Sequence, residues 1–110
     1  MEEIIVKIPS DTKYLQSVRL FSSSVASSMG FDVESVEDIR VVVSEAVNYK
    51  ISGEDVLIKY IIEENKLTIE VFGKDRKMDE KILSIRNVIL SELVDFVEIG
   101  DSEIKLVKKV

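Results

Sequence analysis

Few residues in this chain have the types and spacings that catalysis or metal binding requires. The sequence contains no histidine and no cysteine, which removes the commonest general base, thiol nucleophiles and zinc–thiolate sites. The serine-rich run 22–28 has no base to activate a hydroxyl, so it predicts close packing or a subunit interface. Glu45 has no second carboxylate aligned with it, and no metal-ligand spacing appears. We therefore expect no catalytic residue and no metal site.

The overall charge argues against nucleic acid and anionic membranes as partners. The 110 residues include 21 acidic and 15 basic side chains, and the net charge of −6 disfavours long-range attraction to phosphates. The basic run 105–109 alternates with apolar residues, which is typical of the exposed side and end of a strand. No signal peptide or membrane span is visible, and the absence of cysteine suits a reducing compartment, so a cytoplasmic protein is expected.

Apolar periodicity and turn residues predict the elements that position any site. Strands are expected over 3–8, 56–62, 66–72, 97–99 and 103–107, and helices over 14–29, 32–47 and 78–93. The run 41–43 is three valines, a strand-like composition, but the flanking periodicity and the cap at Asp32 favour a helix. The order β-α-α-β-β-α-β-β predicts an α+β two-layer sandwich, one mixed or antiparallel sheet with three helices on one face. We expect residues 1–110 to form a single domain.

Several segments of the chain resemble one bacterial protein family in order along nearly its whole length. The most specific of them are Ser44–Val47 and the closing strand 107–109, and the others are 8–11, 14–15, 18–19, 29–31, 37–38, Val43, 93–99 and 104–106. These segments are similar to the anti-sigma-factor serine kinases, small members of the histidine-kinase-like (GHKL) ATPases. The resemblance implies a helices-on-sheet sandwich, homodimers, and partner switching between a sigma factor and an antagonist protein. Active members of the family phosphorylate a serine of that antagonist.

The family's nucleotide-site helix carries a glutamate and, four residues later, an asparagine. The glutamate positions or deprotonates the nucleophile, and the asparagine binds magnesium. This chain has Glu45, the remnant of the family base, but Tyr49 at the asparagine position. Asn48 comes one residue early, and one residue rotates a side chain by about 100° around a helix. Asn48 should therefore not face the same site unless a local bulge rotates it.

The family's other two nucleotide elements are also altered. An Asp-x-Gly-x-Gly motif reads the adenine, but the aligned positions here are Gly73, Asp75 and Lys77. Asp75 is either a displaced substitute for the aspartate or a turn residue, and composition favours the turn. A glycine-rich lid cradles the phosphates in the family, whereas the stretch 73–81 is too short for one. The charges of Lys74 and Arg76 either contact a phosphate or are simply solvated, as such residues usually are.

Three functional hypotheses follow, of which the first is preferred. In the first, the domain is a pseudokinase-like regulator of transcription that binds a sigma factor or its antagonist, with no ATP or magnesium. In the second, it is a serine protein kinase with a compacted ATP site in which Glu45, Asn48 and Asp75 bind the nucleotide. In the third, it is a structural or oligomerisation module of the same fold. Under the first hypothesis, three binding surfaces stay open: the family's dimer face, the first helix with Arg19, and the face around Tyr49.

Overall fold

Five strands form one sheet in the computed structural model, which describes residues 1–110. They are β1 (Glu2–Ile8), β2 (Val56–Ile62), β3 (Lys66–Phe72), β4 (Phe96–Ile99) and β5 (Glu103–Lys109). Their order across the sheet is β1-β2-β3-β5-β4, and every neighbouring pair is antiparallel. The predicted element order and α+β class are confirmed, and the sheet is the antiparallel form of the two that were expected.

Three helices pack on one face of this sheet, and local signals set their ends. They are α1 (Leu15–Ser28), α2 (Val33–Asn48) and α3 (Glu80–Leu93), with a short 3₁₀ turn at Thr12–Tyr14 before α1. The Asp32 side chain accepts a hydrogen bond from the backbone N–H of Ser35, which caps α2 as predicted. Gly30 takes a φ of 89° just after α1, a conformation that glycine adopts without strain.

The core lies between the helices and the inner face of the sheet. Alternate residues of the strands point inward, as shown by Ile58, Ile69 and Leu106, which are essentially fully buried. Val42 and Val43 of α2 are completely buried against them. Burial of these side chains outweighs the weak helix propensity of valine, which explains why the strand-like run is helical.

One serine of the serine-rich run is part of this core. Ser22 and Tyr60 are both fully buried, and their hydroxyl groups are 2.6 Å apart in a hydrogen bond. Burial raises the pKa of Tyr60 to about 12, an effect that the bond from Ser22 partly offsets. Packing is therefore the role of Ser22, as the sequence predicted for this run.

Two expectations from the sequence were wrong, one about the exposure of a lysine and one about the start of α3. The basic run 105–109 was expected on the exposed side of a strand, but the Lys108 side chain is only 17% exposed. The alternation of β5 turns Lys108 inward, where it pairs with Asp38 at 3.3 Å and donates to the carbonyl of Leu93 at 2.8 Å. Met78 was expected within α3, but Asp79 caps the helix and Met78 lies just before it.

No helix in the structure is both long and apolar enough to cross a membrane.

Candidate functional site

The C-terminal end of α2 and the segment that follows β3 are held together at one end of the sandwich. Tyr49 is the C-cap of α2, and its carbonyl accepts a hydrogen bond of 3.0 Å from the backbone N–H of Arg76. Gly73 begins this segment, and its N–H donates to the carbonyl of Ser102 at 3.0 Å. The segment 73–79 is thus tied both to α2 and to the turn between β4 and β5.

The carboxylate of Asp75 lies between two buried cations. Its Oδ1 is 3.0 Å from Lys50 Nζ and 2.9 Å from a terminal nitrogen of Arg86. The Lys50 side chain is 0% exposed and that of Arg86 only 2%. The approach of Lys50 Nζ to Asp75 does not have hydrogen-bond geometry, and Nζ has no hydrogen-bond partner elsewhere. The charge of Lys50 is therefore compensated by the ion pair with Asp75 alone. Asp75 lies in an irregular segment, as expected of a turn residue, but its carboxylate is the shared counter-charge of two buried cations.

The ring of Tyr49 is covered by guanidinium groups. The Arg76 guanidinium carbon is 5.3 Å from the ring centre, and that of Arg86 is 5.7 Å from it. These distances are those of cation–π attraction. Tyr49, Lys50, Asp75, Arg76 and Arg86 therefore form one connected group of side chains, which we call the Asp75 cluster.

A cavity of about 730 Å³ opens beside the Asp75 cluster. It lies between the segment after β3, the inner side of α3 and the turn before β5. Basic residues are slightly more numerous than acidic ones in its lining, although the chain as a whole is acidic. The lining residues are Ser52, Glu54, Lys74, Asp75, Arg76, Lys77, Leu83, Arg86, Asn87, Ile99, Gly100 and Asp101.

Gly73 is in a place where a side chain would meet another residue. A Cβ atom built on Gly73 would lie 3.3 Å from the Cβ of Lys50, which is tighter than ordinary van der Waals contact. The φ of Gly73 is 155°, outside the range that side-chain-bearing residues usually adopt. The position aligned with the family's adenine-reading aspartate therefore has no carboxylate, and a side chain there would be strained and in tight contact with Lys50.

The three residues that the sequence offered for ATP do not line one cavity. Asp75 lines the larger cavity, whereas Glu45 lines a separate one of about 340 Å³ with Arg19, Arg40, Glu37, Val41 and Ser44. Asn48 is half-buried and lines neither of these cavities. Arg19 donates a hydrogen bond of 2.9 Å to the Ser44 hydroxyl across α1 and α2, so the smaller cavity belongs to these helices.

Sequence reasoning missed the two buried cations of the Asp75 cluster. Arg86 could have been found, because it follows Leu83 by three residues and precedes Leu90 by four on one helix face. A charged residue at that spacing indicates a buried partner. Lys50 gave no comparable signal, because it follows the last turn of α2 and its burial depends on the distant segment after β3.

The sequence is similar to bacterial serine-protein kinases. It is 33% identical over 85 residues to the serine-protein kinase RsbW of Listeria monocytogenes (serotype 4a, strain HCC23). It is 36% identical over 87 residues to the serine-protein kinase RsbW of Bacillus pumilus (strain SAFR-032). Each match covers 71% of this chain and 54% of the relative, so the chain spans about half the length of these curated relatives. No family model matches the chain.

The fold is also that of a solved structure. The crystal structure of the RsbU and RsbW domains of Rv1364c from Mycobacterium tuberculosis superposes on 99% of this chain with a TM-score of 0.73. The match covers 32% of that chain at 11% sequence identity, so it establishes the fold alone. The resemblance to the anti-sigma-factor serine kinases of the GHKL group is confirmed by these matches, and the chain is a homologue of the RsbW serine-protein kinases with their fold.

Proposed function

We propose that this protein is an anti-sigma-type regulator that acts by binding other proteins and has lost the use of ATP. Its partner would be a sigma factor or the antagonist of one, and it would act as a homodimer in the cytoplasm. The Asp75 cluster is the single observation that carries this proposal. The Asp75 carboxylate is engaged there by two buried cations of the protein itself, at the place where the resemblance puts a nucleotide.

The residues present do not fit ATP and magnesium as the family would hold them. The position of the magnesium ligand is Tyr49, and the guanidinium groups of Arg76 and Arg86 cover its ring. A divalent cation would be repelled by these two groups. The carboxylate of the same cluster, Asp75, is already paired with Lys50 and Arg86. Binding a nucleotide would therefore require the cluster to be taken apart.

Calorimetric titration of the protein with ATP in excess magnesium tests the loss of nucleotide binding. We expect no heat of binding and no shift in melting temperature. An RsbW kinase from Bacillus pumilus, titrated under the same conditions, serves as the positive control. Micromolar binding by this protein would contradict the proposal.

The cavity beside the Asp75 cluster favours a second candidate function. Its volume of about 730 Å³ lies within the range of small-molecule sites, and it is lined by basic side chains. A kinase with a compacted ATP site would use Asp75 and the nearby cations in place of the missing motifs. That function predicts transfer of labelled phosphate from ATP to a partner protein, whereas the first function predicts none.

Affinity capture from the source bacterium tests the partner. We expect a sigma factor or an antagonist protein to be retained, and direct titration with that purified partner to show saturable binding. The Arg19→Ala and Arg76→Ala variants then distinguish the surface between α1 and α2 from the surface around Tyr49. Recovery of the protein alone would instead support a structural module of the same fold.

A further inference from the structure

The segment after β3 carries three cations that form no ion pair within the chain. Lys74, Arg76 and Lys77 are all exposed, and no carboxylate lies within ion-pair distance of any of them. All three line the cavity beside the Asp75 cluster. We call residues 74–77 the basic loop. A chain with a net charge of −6 therefore presents a positive surface at the mouth of this cavity.

The interior behind the basic loop also holds more positive than negative charge. Lys50 and Arg86 are both buried, and they share the single carboxylate of Asp75. The amino group of Lys50 has no hydrogen-bond partner. One negative charge beside two positive charges leaves a net positive charge behind the cavity wall, in a region of low dielectric where charges act more strongly than in water. An anion in the cavity would therefore be attracted by the basic loop and by the buried cations together.

The backbone amides that a phosphate group would use are already engaged. The N–H groups of Gly73 and Arg76 both donate to backbone carbonyl groups. The Asp79 side chain caps the first turn of α3. Phosphate sites in proteins commonly rest on free amides of a loop or of a helix N-terminus. The cavity offers side-chain cations in place of such amides, which suits the separate carboxylates of a peptide better than a phosphate group.

The lining of the cavity is polar, as the rim of a protein interface is. Leu83 and Ile99 are its only hydrophobic residues. Small-molecule sites are lined mostly by hydrophobic side chains, whereas the rim of a protein–protein interface is polar and accessible to solvent. The occupant that these features fit best is therefore part of another protein.

We propose that the basic loop and the adjoining cavity bind an acidic peptide segment of the protein partner. Carboxylates of that segment would pair with Lys74, Arg76 and Lys77, which have no counter-charge in the chain itself. This inference rests on the proposed function, and it names the chemistry of the partner surface that meets the face around Tyr49. Attraction of this kind selects acidic partners, speeds their association and weakens as salt is added.

Two carboxylates on other elements limit where an acidic segment can lie. Glu54 precedes β2 and Asp101 lies in the turn before β5, and both are exposed cavity residues without an ion-pair partner. They would repel a segment that filled the whole cavity, so the segment should lie along the basic loop. Glu54→Gln should therefore strengthen binding, by about twofold for the loss of one repulsive charge.

Titration of the full chain with a fluorescent hexaglutamate peptide at low salt tests the proposal. Its anisotropy should rise to saturation, whereas a hexaglutamine peptide of the same length should not bind. Lys74→Glu and Lys77→Glu should each bind hexaglutamate about fivefold more weakly, because attraction becomes repulsion. Lys109→Glu makes the same change in net charge at the opposite end of the β3–β5 pair, so it is the matched control and should bind as the wild type does.

The position of the bound peptide can be read from the protein's amide resonances. The amides of residues 74–77 should shift during the titration, and that of Lys109 should stay in place. The lysines changed here are exposed, so every variant should keep the wild-type circular dichroism spectrum. No saturable binding, equal binding of hexaglutamine, or equal weakening in Lys109→Glu would overturn the proposal. Tighter binding of inorganic pyrophosphate at the same resonances would overturn it too, because the site would then be one for a small anion.

Failure here is distinguishable from failure of the proposed function. A captured sigma factor or antagonist that binds the wild type and Lys74→Glu equally well would overturn the acidic-segment proposal and leave the proposed function in place. A captured partner that loses affinity in Lys74→Glu and Lys77→Glu, but not in Lys109→Glu, would support both.

Discussion

The hydrogen bond between Ser22 and Tyr60 shows how a polar pair can be built into an apolar core. Both hydroxyl groups are removed from water, and each is satisfied by the other at 2.6 Å. The ring of Phe21 packs edge-on against that of Tyr60, with centroids 5.2 Å apart. The pair links α1 to β2, so its loss should weaken the packing of the helices against the sheet.

Removing both hydroxyl groups of this pair should cost less than the sum of the costs of removing each one alone. Ser22→Ala or Tyr60→Phe alone leaves a buried hydroxyl without a partner, which costs about 1–3 kcal/mol of unfolding free energy. In the double variant neither hydroxyl remains, so the total loss should be smaller than the sum of the single losses. Urea unfolding of the four proteins measures this coupling. Additive losses would show that the two hydroxyl groups do not interact.

Asp75 and Lys50 should differ sharply in their response to neutralisation. Asp75→Asn leaves the ammonium of Lys50 and the guanidinium of Arg86 buried without a carboxylate, so we expect a loss of about 3–5 kcal/mol in unfolding free energy. Lys50→Met removes a buried charge and keeps Asp75 paired with Arg86, so it should be neutral or stabilising. Chemical unfolding measures both variants. Equal destabilisation by the two would contradict the description of the cluster.

Pairing between β3 and β5 brings two glutamates together on the outer face of the sheet. Glu103 shares a hydrogen bond with Glu70, which raises the pKa of the Glu103 carboxyl above its ordinary value, with repulsion from Glu70 and Glu98 adding to the effect. An acid with a raised pKa in the folded state holds its proton more tightly there. Its contribution to stability is therefore greatest below the ordinary value of 4.5 and is lost as pH rises through the higher folded pKa.

The Glu103→Gln variant should consequently melt at a higher temperature than the wild type at pH 7. The advantage should shrink towards zero at pH 4, because Glu103 is then protonated in the wild type as well. Thermal unfolding at the two pH values measures the difference. Glu64→Gln, in the exposed turn between β2 and β3, is the matched control and should show no such dependence on pH. An equal effect of the two substitutions would contradict this account.

How far the elements could be predicted depends on how local their signals are. The bounds of β2 and β3 were predicted correctly, because turn residues flank two β-branched runs. The helical state of α2 was also predicted, since Asp32 supplies a cap that the sequence shows directly. The apolar spacing of α3 predicted a helix but not which face is buried, because Ile85 and Leu90 are equally apolar and only the packing distinguishes them.

The site was less predictable than the fold. The substitution at Tyr49 could be identified from its spacing to Glu45 alone. The ion pairs of Asp75 could not, because they join the irregular segment after β3 to Lys50, just beyond α2, and to Arg86 of α3. The inward orientation of Lys108 was missed for a related reason, since its partner Asp38 lies on another element. Long-range charge pairs leave no periodic pattern in a single sequence.

The molecule as a whole should unfold in one step. Its 19 core residues form one continuous cluster that joins all three helices to the sheet. Such a core favours cooperative unfolding without a populated intermediate. The chain has no tryptophan, so the fluorescence of its three tyrosines and far-ultraviolet circular dichroism are the natural probes. Their urea transitions should coincide, and separated midpoints would indicate that part of the sandwich unfolds independently.

The Asp75 cluster also bears on what would be needed to introduce the family's nucleotide-binding residues into this chain. An asparagine restored at position 49 would stand next to the guanidinium groups of Arg76 and Arg86, which would expel an incoming magnesium ion. An aspartate at position 73 would adopt a φ that side-chain-bearing residues rarely take, and its Cβ would press against Lys50 at 3.3 Å. If the proposed loss of ATP binding holds, one substitution would therefore not restore an ATP site in this chain, because several cationic side chains would have to move before the restored residue could bind the metal.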